Sequence, residues 1–437
     1  MRRSFILIVT LSVALAVGCE KSERMVVPEN DPQIEEGEST PDPDASEETT
    51  PAQSQPILLS VGELAVGGAV NDFGIGFFRE LASRTEEDML FSPLSLSLDL
   101  SLCAGGATGQ TRTQMLGTLG FENKKPEDVA GYYKKLVEGL GQVDPNSQFM
   151  SANSVWTDLS FPLSSEYCSY ANEYYKAHLS SLDLSKRESL CAINQWCKEA
   201  TGGMIDKVLD DSKDPENKVV SYLLNALYFK GGWSFDFDEE QTTDVFYGVD
   251  EEKSTSYLTV HEEFPYQEAK GAQWISLSFG NGAYSLVVAL PEEGLAIKDF
   301  MAGVSWMDFF MYAKSNPVQL QIPEFTMESL LTDELKDVLV SMGMDLPFDA
   351  HSAEFGEMFD KTIPDEFYIG SISQKLRFQL DRTGAEAAAV TEIGIVGDSP
   401  GGPEPAERLF IANRPFIFAL VEITSRTILF IGQKTGC

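Results

Sequence analysis

The sequence predicts one large folded domain that carries a strand-forming segment inside an exposed loop. Residues 57–437 show no break in composition, which favours a single domain, although about 380 residues exceed the usual domain size. Residues 385–396 alternate with period two, as in a strand with one buried face and one solvent face. The small or apolar side consists of Ala385, Ala387, Ala389, Thr391, Ile393 and Ile395. Residues 397–403, Gly-Asp-Ser-Pro-Gly-Gly-Pro, follow directly and are typical of an exposed loop.

Ordered motifs along the domain resemble those of the serpin family. Gly384–Thr391, Gly-Ala-Glu-Ala-Ala-Ala-Val-Thr, resembles the hinge of the serpin reactive-centre loop. The other motifs, in chain order, are Leu-Phe-Ser-Pro-Leu-Ser at 90–95, Gly-Gly-Ala-Thr-Gly-Gln-Thr at 105–111, Ile-Asn-Gln-Trp at 193–196, Asn-Ala-Leu-Tyr-Phe-Lys-Gly-Gly-Trp at 225–233, Ile-Pro-Glu-Phe at 322–325 and Asn-Arg-Pro-Phe at 413–416. The resemblance covers residues 57–437.

The resemblance implies an α+β serpin fold with three β-sheets, about nine helices and an exposed reactive-centre loop at about residues 382–408. It also implies an irreversible suicide-substrate inhibitor of endopeptidases. The protease would form an acyl-enzyme ester with the loop, and the cut end would insert into the main sheet as an antiparallel strand. The implied hinge consists of Gly384, Ala385, Glu386, Ala387, Ala388, Ala389 and Thr391. Small residues suit insertion, because overpacking a filled interior costs about 1–3 kcal/mol per site.

Several other positions take a role from the same resemblance. Ser92, Ser95, Asn225 and Gly231 are expected beneath the sheet strands that part. Arg382 stands where the family usually has an acidic residue, which would alter how the hinge pairs before cleavage.

The reactive bond is expected about fifteen residues past the hinge glycine. Counting fourteen residues from Gly384 reaches Asp398, so the predicted bond is Asp398–Ser399. Val396–Gly397 and Ile395–Val396 are the alternatives. An Asp-specific protease would fit the first bond, and an elastase-like or papain-like protease would fit the others. A trypsin-like target is disfavoured, because no Lys or Arg occurs from Thr383 to Glu407.

The N-terminal residues are typical of an exported lipoprotein. Residues 1–18 have a basic start and a short apolar run, as in a signal peptide, and Ala-Val-Gly-Cys at 16–19 is similar to a lipobox with Cys19 as the lipidated residue. Glu20 after the cysteine favours delivery to the bacterial outer membrane, with the surface face, the periplasmic face and release outside the cell left open. Residues 19–56 form an acidic, proline-rich segment that is predicted to be a disordered tether.

The amino-acid composition limits the kinds of partner that we expect the protein to bind. With 32 basic against 68 acidic residues, the net charge of −36 argues against binding nucleic acid or anionic lipid surfaces, so membrane contact is expected through the lipid anchor only. We expect no cofactor and no metal site, since the cysteines form no CxxC pair. We expect a monomer. A Cys191–Cys197 disulfide and pairing of Cys437 both stay open.

Two features of the sequence bear on other functions. Residues 397–401 match the Gly-x-Ser-x-Gly pattern of hydrolases, but the prolines and glycines that follow cannot begin the required helix. None of His178, His261 and His351 lies in a triad motif, so we expect no enzyme. The remaining alternative is a non-inhibitory serpin-fold binding protein of the cell envelope. The hinge argues against it, because residues 385–396 contain no proline and their inward-facing side chains are small or apolar.

Overall fold

A computed structural model describes residues 55–203, 205, 207–212, 215, 219–310, 313–362, 367–382 and 407–436, and the backbone of residues 5–15. These ranges contain eight α-helices: α1 Val61–Arg84, α2 Pro93–Gly106, α3 Gly109–Thr118, α4 Pro126–Leu140, α5 Ser165–Tyr175, α6 Arg187–Ala200, α7 Ile297–Met301 and α8 Asp333–Ser341. Two short 3₁₀ helices lie at Trp306–Phe309 and Leu346–Phe348. None of the helices in these ranges has the length and apolar character needed to cross a bilayer.

The same described ranges contain fifteen strands. They are β1 Phe5–Leu15, β2 Met89–Phe91, β3 Gln148–Asp158, β4 His178–Leu182, β5 Val219–Lys230, β6 Thr242–Tyr247, β7 Glu252–Ala269, β8 Ala272–Phe279, β9 Tyr284–Pro291, β10 Ser315–Pro323, β11 Phe325–Leu331, β12 Phe367–Leu380, β13 Arg408–Ile411, β14 Phe416–Glu422 and β15 Thr427–Lys434.

The strands form three sheets. The large sheet has the order β11-β12-β1-β5-β3-β4. The second sheet has the order β7-β8-β9-β14-β15-β2, and the third contains β13-β10-β7 with β6 paired to β7. The long strand β7 therefore belongs to both smaller sheets. The predicted α+β fold with three sheets is confirmed, with eight α-helices in the described ranges against about nine expected.

Helix α2 forms the centre of the core beneath the large sheet. Ser92 caps it, because its hydroxyl accepts a hydrogen bond from the Ser95 N–H at 3.2 Å, and Pro93 occupies the first turn. All but one of its residues are buried, on every side, as expected of a helix in a domain interior. It packs against β5 on one side and β15 on another, and so it supports the middle of the large sheet.

Strand β12 runs the length of the large sheet and ends at the base of the predicted loop. It pairs antiparallel with β11 from Phe325 opposite Leu380 to Leu331 opposite Gln374. Buried and less buried residues alternate along it. The ladder with β1 shifts at Gly370, since Leu7 pairs with Ile369 and Ile8 with Ser371. Gly370 is therefore a one-residue bulge.

Candidate functional site at the large sheet and the loop base

The large sheet is built from two halves that meet at β1. Strands β5, β3 and β4 form one half, and β12 and β11 form the other. Strand β1 lies between β5 and β12 and runs parallel to both. The sheet thus has one strand position between β5 and β12, which β1 occupies. The sequence-based interpretation expects the cleaved loop to insert into this sheet.

A row of polar side chains lies beneath this central position. The backbone of Ser92 exchanges two hydrogen bonds of 3.1 Å with the side-chain amide of Gln374 on β12. The Ser95 hydroxyl donates to Asn225 Oδ1 on β5 at 2.6 Å, and Asn225 Nδ2 donates to Asn153 Oδ1 on β3 at 2.8 Å. Both halves of the sheet are therefore hydrogen-bonded to the N-terminal turns of α2.

The structure brings together three of the four residues that were expected beneath the parting strands. Ser92, Ser95 and Asn225 all belong to the polar row. Gly231 follows the end of β5, six residues from Asn225, or about 20 Å along a strand. An added Cβ there would lie 2.8 Å from the Phe229 ring, so close packing explains this glycine.

Asp99 is a buried acidic residue that sequence reasoning missed. It lies on α2, one turn beyond Ser95, and is fully buried. Neither carboxylate oxygen has a hydrogen-bond partner among the described residues. Burial raises the pKa of Asp99 well above its usual range, although the nearby Asn225 backbone N–H opposes that shift. The available signal was a single acid in a helix otherwise made of Leu, Ser, Cys, Ala, Gly and Pro.

The base of the predicted loop is attached to its surroundings by several hydrogen bonds. The indole Nε1 of Trp233 donates to the Asp381 carbonyl at 3.0 Å, and the Arg382 N–H donates to Glu324 Oε1 at 3.4 Å. The Arg382 guanidinium donates to the Glu239 carbonyl. These contacts fix the last described residues before the loop against the connections that precede β6 and β11.

Only part of the hydrogen-bonding capacity of the Arg382 guanidinium is used by neighbouring residues. Its Nε and Nη2 atoms are buried and have no hydrogen-bond partner in the described ranges. Glu324, whose carboxylate approaches the Arg382 backbone, also accepts a hydrogen bond from Gln241 Nε2 at 2.7 Å. The guanidinium is thus bonded to a backbone carbonyl. The expected effect of Arg382 on hinge pairing stays a prediction, because the hinge lies outside the described residues.

The chain returns to the protein at the third sheet. Strand β13 pairs parallel with β10, and Phe410 is buried. Just before β13, Glu407 lies 3.2 Å from His261 Nε2, and Arg408 lies 3.5 Å from Glu268. The loop is therefore anchored on the large sheet at one end and on the third sheet at the other.

Most of the predicted site residues lie outside the described residues. These are Cys19, Gly384, Ala385, Glu386, Ala387, Ala388, Ala389, Thr391, Val396, Gly397, Asp398 and Ser399. They remain predictions.

The three histidines lie in different surroundings. His178 stacks beside Trp196, and His261 faces Glu407, while His351 follows the second 3₁₀ helix. Within the described ranges there is no group of three or more His, Cys, Asp or Glu side chains that could hold a metal. The Cys191 thiol is free and lies 3.6 Å from Asp211 Oδ2, whereas Cys197 is buried, so the two do not form a disulfide.

Comparison with known proteins identifies a family whose sequence pattern this chain matches. The model of the family described as "Serpin (serine protease inhibitor)" matches residues 68–436. Serpin-Z2A of Triticum aestivum is 31% identical over 365 residues, which cover 80% of this chain and 90% of the relative. An uncharacterised serpin-like protein of Thermococcus kodakarensis is 26% identical and covers 99% of this chain, which in turn covers 98% of that protein.

Solved structures agree with this family. The thermophilic serpin tengpin in its native state has a TM-score of 0.75 and 27% identity, covering 88% of this chain and 97% of its own. Together with the three sheets, the polar row and the loop anchored at both ends, these matches assign the fold and the family. The chain belongs to the serpin family.

Proposed function

We propose that this chain is an irreversible suicide-substrate inhibitor of endopeptidases. Serpins are in general protease inhibitors rather than catalysts. The observation that carries the proposal is the strand position between β5 and β12, supported from below by α2. A cleaved loop that entered this position in place of β1 would hydrogen-bond to both β5 and β12.

The register of β12 supports insertion of this particular loop. A hairpin that turned at Arg382–Thr383 would place Ala387 opposite Phe378 and Thr391 opposite Gln374. Phe378 and Gln374 are both fully buried, so the small side of the loop would face the core. A side chain larger than alanine at Ala387 would overpack that interior.

The reaction begins as ordinary proteolysis. The protease nucleophile attacks the carbonyl carbon of the residue before the reactive bond, the peptide bond breaks, and the new amino terminus leaves with the proton supplied by the protease. An acyl-enzyme ester remains. Insertion of the cut loop then carries the attached protease along the sheet and distorts its active site before water can hydrolyse the ester.

The length of β12 supports the position of the reactive bond. The strand begins at Phe367, and the same hairpin, with the Gly370 bulge counted, would bring Gly397 opposite Phe367. The next residue is Asp398, where the inserted strand would run out of partners. We therefore favour Asp398–Ser399, with Val396–Gly397 as the alternative. The targets that fit are Asp-specific, elastase-like or papain-like proteases rather than trypsin-like ones.

Two neighbouring substitutions test insertion with one chemical change. Ala387→Glu would place a carboxylate against Phe378 in the core, which costs about 3 kcal/mol or more for an unpaired buried charge. Ala388→Glu would lie opposite Arg377, a half-exposed residue that already approaches Glu328 at 3.7 Å. We expect Ala387→Glu to be cleaved as a substrate, and Ala388→Glu to keep the parent's detergent-stable complex. Equal behaviour of the two variants would contradict insertion in this register.

The target is tested by mass spectrometry of the C-terminal peptide released by each protease class. A peptide beginning at Ser399 or Gly397 agrees with the proposal. A stable trypsin complex with a peptide beginning at Leu409 would overturn the assigned bond. Failure of every protease to form a stable complex would instead favour the non-inhibitory binding protein.

We also infer that residues 1–18 are removed and that Cys19 is lipidated, so that residues 19–56 tether the domain to the outer membrane. The support is the apolar run that ends in Ala-Val-Gly-Cys and the acidic composition that follows it. Cys19→Ala should abolish incorporation of labelled palmitate and release the protein from the membrane fraction. A variant that kept the label would exclude this residue as the anchor.

A further inference from the structure

The N-terminal segment of the chain occupies the centre of the large sheet. Strand β1 pairs with β12 from Phe5 opposite Phe367 to Ala14 opposite Arg377, and with β5 from Ile6 opposite Val219 to Leu15 opposite Phe229. Both ladders run nearly the full length of β1. A segment predicted to be a signal peptide is thus a central strand of the folded chain.

This is the position that the proposed function requires for the cleaved loop. At the polar row, the backbone of Leu11 lies between Asn225 on β5 and Gln374 on β12. An inserted loop would bring Thr391 to the same place, in the opposite strand direction. Two strands cannot pair with β5 and β12 at once, so β1 and the loop exclude each other.

The composition of β1 makes it a strong competitor of the cleaved loop for the strand position between β5 and β12. Its sequence, Phe-Ile-Leu-Ile-Val-Thr-Leu-Ser-Val-Ala-Leu, is rich in β-branched residues and contains no proline, glycine or charge. Such residues favour strands, whereas the alanines of the hinge do not. The backbone groups of β1 already have partners on both sides, so the loop would have to displace a paired strand.

Chain length permits this placement. Residues 16–54 separate β1 from the described start of the domain, and an extended chain of that length spans up to about 130 Å. That is several times the length of β12, which is about 46 Å for 14 residues. The connection can therefore reach the end of the sheet without straining either element.

We propose that Phe5–Leu15, while it remains attached, blocks the insertion position and holds the unprocessed chain in a non-inhibitory state. This inference depends on the proposed function. Proteases would cut the loop of the unprocessed chain and leave, because the cut end could not enter the sheet. Removal of the first 18 residues would free the position between β5 and β12. Inhibition would then begin only after processing.

The test compares the full chain with a chain that begins at residue 19, both carrying Cys19→Ser to prevent lipidation. Each is incubated with elastase, papain and an Asp-specific protease. We expect the full chain to consume at least ten times as many inhibitor molecules per trapped protease molecule as the shortened chain does. Equal trapping by the two chains would overturn the proposal.

A proline pair separates blocking by β1 from other effects of the extra residues. Val9→Pro with Val13→Pro in the full chain removes two ladder N–H groups and is not tolerated in a central strand. We expect this variant to trap proteases as well as the shortened chain does. Val26→Pro with Val27→Pro lies outside β1 and should leave the full chain a substrate. Failure of the first pair to restore trapping would contradict the proposal.

Amide hydrogen exchange tests whether β1 fills the sheet, even if no form of the protein traps a protease. If β1 fills the sheet, the facing amides of β5 and β12 should exchange at least tenfold more slowly in the full chain than in the shortened or proline-containing chains. Slow exchange without trapping by any form would refute the inhibitor function while keeping β1 in the sheet. Equal exchange in all forms would refute the blocking strand itself.

Discussion

Replacing Asp99 by alanine should stabilise the protein, although most substitutions in a core destabilise it. Asp99 lies at 0% exposure beneath the large sheet, and both of its oxygens lack a partner among the described residues. Removing the carboxyl group removes the cost of keeping it from water. The same change leaves a small space and loses a few packing contacts. The sign of the effect depends on which contribution is larger.

The magnitudes favour stabilisation. A buried polar group without a hydrogen bond costs about 1–3 kcal/mol, and more when it is charged. Alanine is also a better helix former than aspartate by about 0.6 kcal/mol in a helix interior. The small cavity left by the carboxyl group costs about 1 kcal/mol at about 24 cal/mol per Å³, and no apolar transfer free energy is lost with a polar group. The net gain in the free energy of unfolding is about 1–2 kcal/mol, or about 1–3 °C in Tm for a domain of about 380 residues.

The gain should depend on pH. The folded pKa of Asp99 is raised above the unfolded value of 3.8, so the folded state holds this proton more tightly. The parent therefore loses stability as pH rises from about 4 through the raised pKa. The alanine variant lacks this dependence. The difference between variant and parent should therefore be smallest near pH 4 and should grow as the pH rises toward the raised pKa of Asp99.

Urea unfolding at several pH values measures this prediction, and Asp144→Ala is the matched control. Asp144 is equally buried, but its carboxylate accepts hydrogen bonds from Ser147 Oγ at 2.6 Å and from the Asn146 N–H at 2.9 Å. Its loss should destabilise by about 1–3 kcal/mol. An Asp99→Ala variant that is less stable than the parent at pH 7.5, or whose advantage does not change with pH, would refute the reasoning.

Three further predictions concern the core and the loop base. Gly74→Ala should lower the unfolding free energy by about 1–3 kcal/mol, because the new Cβ would lie 2.5 Å from Pro93. Gly131→Ala meets no atom within 4 Å and should raise the unfolding free energy by about 0.5–1 kcal/mol. Urea titrations of both variants test this difference, and a stabilised Gly74→Ala variant would contradict the packing around Gly74. Asn225→Ala should cost about 1–3 kcal/mol, since Ser95 Oγ and Asn153 Oδ1 lose their partner, and an unchanged urea midpoint would count against the polar row. Trp233→Phe should cost about 1 kcal/mol through loss of the bond to the Asp381 carbonyl and should speed amide exchange at residues 379–382; unchanged exchange there would show that this bond does not hold the loop base.

Local sequence patterns predicted the features that depend on neighbouring residues. The order of motifs predicted the fold, and the motifs around Ser92 and Asn225 predicted the polar row. The period-two pattern from Ala385 onward stays a prediction, because it lies outside the described residues. Each of these follows from residues close together in the chain.

Features that depend on distant pairing were not predicted. The contact between Arg382 and the Glu239 carbonyl joins residues 143 positions apart, and no local pattern indicates a carbonyl as the partner. Asp99 is unusual only because the sheet above and the helix packing around it exclude water. The placement of Phe5–Leu15 between β5 and β12 is likewise non-local, since an apolar run describes a leader and a buried strand equally well.

The single-residue bulge at Gly370 would determine the register between β12 and an inserted loop. Above the bulge, the buried positions of β12 have even numbers, from Leu380 to Ile372, and below it they are Ile369 and Phe367. Without that offset, an unbroken antiparallel strand would bring Asp398 opposite Phe367 on the core side. With it, Gly397 of an inserted loop would take that place and Asp398 would turn outward. One extra glycine in the sheet would thus keep the carboxylate of Asp398, next to the proposed cut, out of the interior.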